Sequence, residues 1–171
     1  LSICVALACH DLFSRLAGAE ATSIKWPNDL YWNDRKAGGI LIENHFQGDR
    51  WPLAIAGMGI NINQVGFPDT AKNPVSLRQI TGKSWVAVEL ARELGALLDK
   101  RYSTLTGGGS TAQFEEYQGK MYKRGQTVRL KKDNAVFETT IQGVTPQGQL
   151  LTRDVFERQF SFGEVEWVLP G

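Results

Sequence analysis

The sequence predicts an α+β fold, in which a mixed β-sheet backed by helices is followed by a small β-barrel. Apolar residues recur with the helix period in two long segments, and apolar runs of strand length lie between them. Beyond a cluster of glycines, short strand-like segments follow one another at close, regular spacing, which is typical of a small barrel. A chain of 171 residues is long enough for one full core and a small second domain.

The first predicted elements are a buried helix and a strand that ends in a turn. Residues 1–16 carry apolar side chains on most faces and stop at Gly18, as a helix packed inside a core does. Residues 23–26 are predicted to be extended, residues 27–29 to form a turn, and residues 30–32 to be extended again.

Two longer strands and a second helix complete the predicted first domain. Residues 39–43 form a strand, and residues 51–60 form the next one, which is apolar on both faces and therefore predicted to be central in its sheet. A loop that contains Pro68 and Pro74 leads to residues 86–105, whose apolar positions have the period of an amphipathic helix.

The glycine cluster at 107–109 has the composition of a flexible connection and marks the predicted domain boundary. The first domain then covers residues 1–106, and residues 107–119 form a linker with a short helix at 113–118. The small barrel covers residues 120–171, with strands at 126–130, 135–142, 149–153 and 155–161.

The composition excludes several classes of partner. Nineteen basic and 18 acidic side chains leave a formal charge of +1, so the whole molecule has no field that would attract nucleic acid or an anionic membrane. The apolar stretch at residues 1–7 is far shorter than a membrane-spanning helix. Cys4 and Cys9 lie in that apolar segment, which suits a reducing cytoplasm. Because the chain begins with a helix and with Leu1 instead of Met, we expect the natural protein to extend upstream.

The stretch KWPNDLYWNDRKAGGIL, at residues 25–41, carries the predicted chemistry. Pro27 fixes the turn, so that Asn28 and Asp29 are held rigidly at a strand end. Lys36 precedes Gly38 and Gly39, where a ligand can approach the backbone closely. If the two strands pair as a hairpin, Lys36 would neutralise charge on a phosphate or an acyl oxygen, and Asp29 would orient an ammonium group or help to hold a metal ion. The alternative is a plain turn beside a solvated lysine.

The same stretch resembles the signature of the biotin protein ligases, in which KWPNDL is followed at this spacing by K-x-G-G-I-L. The segment GMGIN at residues 57–61 resembles the later G-x-G-x-N segment of these enzymes, and the helix at residues 1–16 is similar to the one that precedes their motif. The C-terminal FSFGEVEWVL resembles their small SH3-like domain. The resemblance therefore covers nearly the whole chain, and it implies a biotin/lipoate ligase-type catalytic domain followed by an SH3-like barrel.

The resemblance also implies a role for each matching residue. Lys36 corresponds to the lysine that contacts the biotin carboxyl group and the adenylate phosphate, Asp29 to the aspartate near the reacting carbonyl, and Asn61 to the residue near the adenine. Asn28 is expected to be among the substrate-binding residues. The strand walls along biotin would be formed by Gly39, Ile40, Leu41, Gly57 and Gly59.

The implied activity is that of a biotin–[acetyl-CoA-carboxylase] ligase in the cytoplasm. Such an enzyme uses ATP, biotin and Mg²⁺ to make biotinyl-5'-AMP, and transfers biotin to a lysine of the biotin carboxyl carrier protein domain of acetyl-CoA carboxylase or a related carboxylase. A homodimer is left open, and no nucleic acid or membrane partner is expected. The family's glycine- and arginine-rich biotin loop, its Ser/Thr segment and its glutamine are not found in residues 1–22, so we expect little activity from these 171 residues alone.

Other interpretations are weaker or remain open. Ile62 occupies the third glycine position after Gly57 and Gly59, which argues against a dinucleotide site. His10 and His45 are too few and too far apart for a predicted metal site. Basic residues between 120 and 132 are interpreted as a solvated strand face. A lipoate or octanoate ligase or transferase, and a non-catalytic domain that binds the carrier protein, remain as alternatives.

Overall fold

The computed structural model describes residues 1–168, so residues 169–171 of the predicted small domain lie outside the described residues. The α+β fold class is confirmed, with helices on a first sheet of four strands and a second sheet of five strands after it. The elements are α1 (Ser2–Ala17), β1 (Thr22–Lys25), β2 (Asp29–Trp32), β3 (Arg35–Gln47), β4 (Arg50–Ile60), α2 (Leu77–Thr81), α3 (Ala87–Thr106), α4 (Ser110–Gly119), β5 (Thr127–Lys132), β6 (Ala135–Val144), β7 (Leu150–Arg153), β8 (Glu157–Phe160) and β9 (Glu166–Val168).

The first sheet has the order β1-β2-β3-β4, and each pair of neighbouring strands is antiparallel. Its parallel component is limited to isolated bridges, which include Ile24 to Met121 and Lys36 to Pro74. The helix α1 packs against this sheet on one side and against α3 on another. Every residue from 4 to 10 is buried as a result. Gly18 ends the helix with a φ of 99°, a conformation that suits a residue without Cβ.

The helices α1, α3 and α4 are joined by one arginine. Arg101 of α3 donates hydrogen bonds to both carboxylate oxygens of Asp11 in α1 and to both of Glu116 in α4. Bidentate pairs of this kind fix geometry as well as adding attraction. The predicted linker region 107–119 therefore contains a helix that packs against the first domain, and the glycines at 107–109 form the turn before it. The domain division at this turn stays a prediction.

The expectation that residues 51–60 form a central strand is wrong. The corresponding strand, β4, lies at an edge of the first sheet, and within residues 1–168 it pairs with β3 alone. Trp51, Leu53 and Ile55 are each at least 50% exposed, because the outward face of the strand is uncovered in the described chain. Apolar residues on both faces indicate burial only when a partner is present to cover them.

The second sheet has the order β8-β7-β6-β5-β9 and is antiparallel throughout. Its core contains Leu130, Ile141 and Leu150, which are fully buried. In residues 1–168 the edge strands β8 and β9 do not pair with each other, so the sheet is open by its pairings. The sequence interpretation did not include β9 or the short helix α2. In the described part of the chain, no helix is long and apolar enough to cross a membrane.

Candidate active site

The turn of the KWPNDL motif is held in place from two sides. Asn28 accepts a hydrogen bond from the backbone N–H of Ile40 at 2.9 Å, and its side-chain Nδ2 donates to the carbonyl oxygen of Ile40 at 2.6 Å. On the other side, the indole Nε1 of Trp26 donates to the carbonyl oxygen of Gly148, in the second sheet's β6–β7 loop, at 2.9 Å. The predicted substrate-binding residue Asn28 therefore fixes the turn against β3, and that turn places Asp29 at the start of β2.

Asp29 and Lys36 form an ion pair at the surface of the first sheet. Lys36 Nζ lies 2.6 Å from Asp29 Oδ1, so the hairpin predicted from the sequence brings these two groups together. The Lys36 side chain is 41% exposed, whereas that of Asp29 is only 16% exposed. The ammonium is thus the more accessible member of the pair, and the carboxylate is largely covered.

The backbone of Lys36 is fixed by a neighbouring loop. Its N–H donates to the carbonyl of Asn73 at 2.9 Å, and its carbonyl accepts from the N–H of Val75 at 2.8 Å. The Asn61 Nδ2 atom lies 3.3 Å from the Lys36 carbonyl oxygen and 3.2 Å from that of Val75. Asn61 was expected near a bound adenine, but its amide is used between these two backbones, and it does not line the depression described below.

A row of glycines forms the floor beside the ion pair. Asp29 is in register with Gly39 of β3, and Gly39 is in register with Gly59 of β4. A Cβ added to Gly39 would lie 3.3 Å from Asp29 Oδ1 and 3.6 Å from Lys36 Nζ. Gly57 is in register with Leu41 in the same way, two residues further along. The absence of side chains along this row leaves the strand backbones accessible to a ligand.

These groups surround an open depression of about 640 Å³. Leu41 is 62% exposed and lines it, whereas Ile40, which also lines it, is only 7% exposed and belongs to the hydrophobic core. Strand alternation explains this difference between neighbours. The lining consists of Pro27, Asn28, Asp29, Lys36, Gly39, Ile40, Leu41, Gly57, Met58, Gly59 and Phe162.

Residues at or beside the depression that the sequence interpretation gave no role include Phe162 and Lys25. Phe162 reaches the depression from the loop between β8 and β9 and is 77% exposed, and a contact so distant in sequence has no local signal. Lys25, the first letter of the motif, is 8% exposed and had no assigned role. Its ammonium lies 5.2 Å from the ring centroid of Tyr31 and 5.0 Å from that of Trp167. Burial lowers the pKa of Lys25 to about 8, which the nearby charge of Asp29 partly opposes.

The two histidines lie away from the depression. His10 is buried in α1 with its Nε2 3.2 Å from the carbonyl oxygen of Thr22, and His45 is exposed on β3. Among residues 1–168, no group of three or more His, Cys, Asp or Glu side chains is placed to hold a metal ion. Asp29 is the one carboxylate among the residues that line the depression.

Comparison with known proteins identifies the family. Residues 4–61 match the model of the biotin/lipoate A/B protein ligase family. The chain is 31% identical over 154 residues to the bifunctional ligase/repressor BirA of Bacillus spizizenii, an alignment that covers 88% of the chain and 47% of that protein. It is 27% identical over 166 residues to the biotin–[acetyl-CoA-carboxylase] ligase of Paracoccus denitrificans, covering 93% of the chain and 68% of that protein.

The fold agrees with these sequence matches. The biotin protein ligase of Aquifex aeolicus, solved in complex with biotin and ATP, superposes with a TM-score of 0.78 at 23% identity, covering 99% of this chain and 71% of that one. The chain spans about half the length of the Bacillus relative, of which it covers 47%. The chain belongs to the biotin/lipoate A/B protein ligase family, and within it to the biotin protein ligases.

Proposed function

We propose that this chain carries catalytic residues of a biotin protein ligase, which makes biotinyl-5'-AMP from biotin and ATP and then transfers biotin to a lysine of a carrier protein. The observation that carries the proposal is the ion pair of Lys36 with Asp29, at 2.6 Å, beside a floor of bare glycine backbone. This arrangement combines an accessible cation, a largely covered carboxylate and room for a ligand against the strands.

Lys36 acts in the first step. The biotin carboxylate attacks the α-phosphorus of ATP, a new P–O bond forms, and pyrophosphate leaves with the electrons of the broken bond. The Lys36 ammonium turns from Asp29 toward the reacting phosphate and carboxyl oxygens and neutralises the charge that develops there. A preorganised donor in this position is typically worth a factor of about 10²–10³ in rate.

Mg²⁺ fits the donor chemistry of the site. Mg²⁺ is commonly held by one or two carboxylates together with substrate phosphates, and Asp29 is the carboxylate that lines the depression. When bound, the ion would shield phosphate charge. Asp29 would supply one oxygen to it.

Asp29 acts in the second step, when the lysine of the carrier arrives. We assign Asp29 to orienting the incoming ammonium group next to the adenylate carbonyl. After that group loses one proton to solvent, its nitrogen attacks the adenylate carbonyl, the C–N bond forms, and AMP departs with the electrons of the broken C–O bond. The second proton of the nitrogen is released to solvent as the amide forms. The low exposure of the Asp29 side chain, 16%, favours a fixed orientation for this task.

The strands around the ion pair would hold the substrate. We assign the biotin ring and its aliphatic tail to the backbone of Gly39, Ile40, Gly57 and Gly59, with the exposed side chain of Leu41 as the apolar contact. Asn28 and Asn61 support the site through the backbones that they bind. In this assignment Asn61 acts through Lys36, in place of the expected contact with the adenine.

The proposed acceptor is the biotin carboxyl carrier protein domain of acetyl-CoA carboxylase or a related carboxylase, in the cytoplasm. The name of the Paracoccus relative gives acetyl-CoA carboxylase as the substrate of that enzyme. The unpaired edge of β4 within the described chain offers backbone groups that an acceptor or a second copy of the chain can pair with.

The experiment is ATP-dependent labelling of a purified carrier domain with biotin by the natural full-length protein. We expect labelling, and we expect Lys36→Ala to reduce adenylate formation by about 10²–10³-fold. Lys83→Ala, which removes an exposed lysine outside the depression, is the matched control and should be as active as the natural protein. Transfer of lipoate or octanoate in place of biotin, or binding of the carrier without adenylate formation, would contradict the proposal.

A further inference from the structure

Lys25 is a buried cation on the strand next to Asp29, and the proposed reaction gives it no role. Its side chain is 8% exposed, and its ammonium lies over two aromatic rings, those of Tyr31 on β2 and Trp167 on β9. Cation–π contacts of this kind hold an ammonium in place without cancelling its charge. The molecule therefore keeps a fixed positive charge at this position.

The two rings are themselves fixed by a third. Tyr122 packs on Tyr31 at a centroid distance of 4.9 Å and on Trp167 at 5.7 Å. The hydroxyl of Tyr122 donates to Asp34 Oδ1 at 2.6 Å, which ties the aromatic cluster to the turn between β2 and β3. The cluster formed by Tyr31, Tyr122 and Trp167, called here the aromatic cage, thus joins both sheets around Lys25.

Lys25 lies next to Asp29 in the sheet. The two residues are register partners in the β1–β2 pair, and partners in an antiparallel pair project their side chains from the same face. Asp29 therefore has two cations on its side of the sheet, the 41% exposed Lys36 at 2.6 Å and the buried Lys25 under two aromatic rings.

Lys36 is paired with Asp29, and it must leave that carboxylate to reach an anionic substrate. An Asp29 side chain that is 16% exposed would then lose its closest counter-charge, which opposes the movement. We propose that Lys25 is a positioning residue whose caged ammonium balances the charge of Asp29 when Lys36 moves to a phosphate group of the substrate. This inference rests on the proposed function and adds a second lysine to its electrostatics.

The test is calorimetric binding of inorganic pyrophosphate to the natural full-length protein and its variants. At pH 7 we expect Lys25→Met to bind pyrophosphate more weakly by on the order of tenfold, because one nearby positive charge is lost. Lys25→Arg should remain within about twofold of the natural protein, since one unit charge is retained. Lys83→Met, which removes an exposed lysine outside the site, should bind as the natural protein does.

Circular dichroism and urea denaturation of each variant separate this role from simple support of the fold, because weaker binding of pyrophosphate counts only in a variant that is folded under the conditions of the measurement. Lys25→Gln takes the place of Lys25→Met if that variant does not fold. Unchanged affinity in the folded neutral variant, or a loss in Lys25→Arg as large as that in the neutral variant, would overturn the inference.

The two proposals fail separately. Normal biotin transfer by the natural protein, with pyrophosphate binding that ignores Lys25, would leave the proposed function and remove the positioning role. Pyrophosphate binding that depends on Lys25, in a protein that forms no biotinyl adenylate, would remove the proposed function and leave the effect of Lys25 on phosphate binding.

Discussion

The α-carbon of Gly39 faces the Asp29 carboxylate so closely that a Cβ built on it would lie 3.3 Å from Asp29 Oδ1. The same Cβ would lie 3.6 Å from Lys36 Nζ, so a single methyl group at this position would crowd Asp29 and come into contact with Lys36. The glycine in the motif is thus explained by the space that the charged groups occupy.

Gly39→Ala should therefore lower the rate of adenylate formation by on the order of tenfold, because small displacements of reacting groups are costly. The measurement is pyrophosphate release at saturating biotin and ATP. Gly95→Ala is the matched control, since a Cβ at Gly95 in α3 meets nothing within 4 Å. That variant should have normal activity and be slightly more stable, by about 0.5–1 kcal/mol. Full activity in Gly39→Ala would mean that the ion pair tolerates displacement.

Asn61→Ala should reduce kcat for adenylate formation more than it raises KM for ATP. The amide of Asn61 holds the backbones of Lys36 and Val75, so its loss should disturb the position of Lys36 and destabilise the fold by about 1–2 kcal/mol. Steady-state kinetics and urea denaturation provide the two measurements. Asn63→Ala is the control, because Asn63 makes a similar pair of hydrogen bonds with the backbone of Trp85. A rise in KM for ATP with kcat unchanged would indicate that Asn61 contacts the nucleotide directly.

Arg101→Met should destabilise the protein by about 2–4 kcal/mol, since it leaves the carboxylates of Asp11 and Glu116 without their common partner. The free energy of unfolding in urea is the measurement. Arg15 forms an ion pair with Glu93 that is about half exposed, so Arg15→Met should cost less than about 1 kcal/mol. Similar losses in both variants would mean that the three-helix connection adds little.

The stability of the protein should fall as the pH decreases below about 6.5, the ordinary pKa of histidine. Burial lowers the pKa of His10 in the folded state, although the contact with the Thr22 carbonyl partly opposes that shift. Because the pKa of His10 is lower in the folded state than in the unfolded chain, neutral His10 favours the folded state above pH 6.5. This contribution to the stability is lost on acidification. Urea denaturation between pH 7.5 and pH 5 measures how the free energy of unfolding changes with pH. We expect a slope that corresponds to the uptake of about one proton on unfolding. His10→Gln should flatten the curve, and an unchanged slope would assign the effect to other groups.

The sequence was informative where the signal is local. The apolar pattern of residues 1–16 predicted α1, which spans Ser2–Ala17. The turn residues after Trp26 predicted the turn between β1 and β2, and Asp29 was expected to meet Lys36 if the next two strands paired as a hairpin, as β2 and β3 do. Both follow from periodicity or turn chemistry within a few residues. The bulge between Leu30 and Tyr31 in the β2–β3 pairing was not predicted, although it sets the register in which Lys36 lies.

What could not be predicted depends on neighbours that are distant along the chain. The strand β4 is apolar on both faces, but its edge position is a property of sheet order. Ile40 lines the depression with Gly39 and Leu41, as assigned, but its low exposure of 7% follows from strand alternation against a core that the local sequence does not show. Phe162 and Trp167 reach the site from the second sheet, and no pattern near residues 25–41 indicates them.

The hydrogen bond from Trp26 to the carbonyl of Gly148 spans 122 positions of the chain and ties the signature turn to a loop of the second sheet. A shortened protein that stops after α4 would keep the whole signature at residues 25–41, but the indole of Trp26 would lose its hydrogen-bond acceptor. The shortened protein would also lack Trp167, so the ammonium of Lys25 would lose one of its two aromatic contacts. Any attempt to trim this protein to a minimal core must therefore retain the second sheet, because it holds both the signature turn and the buried lysine.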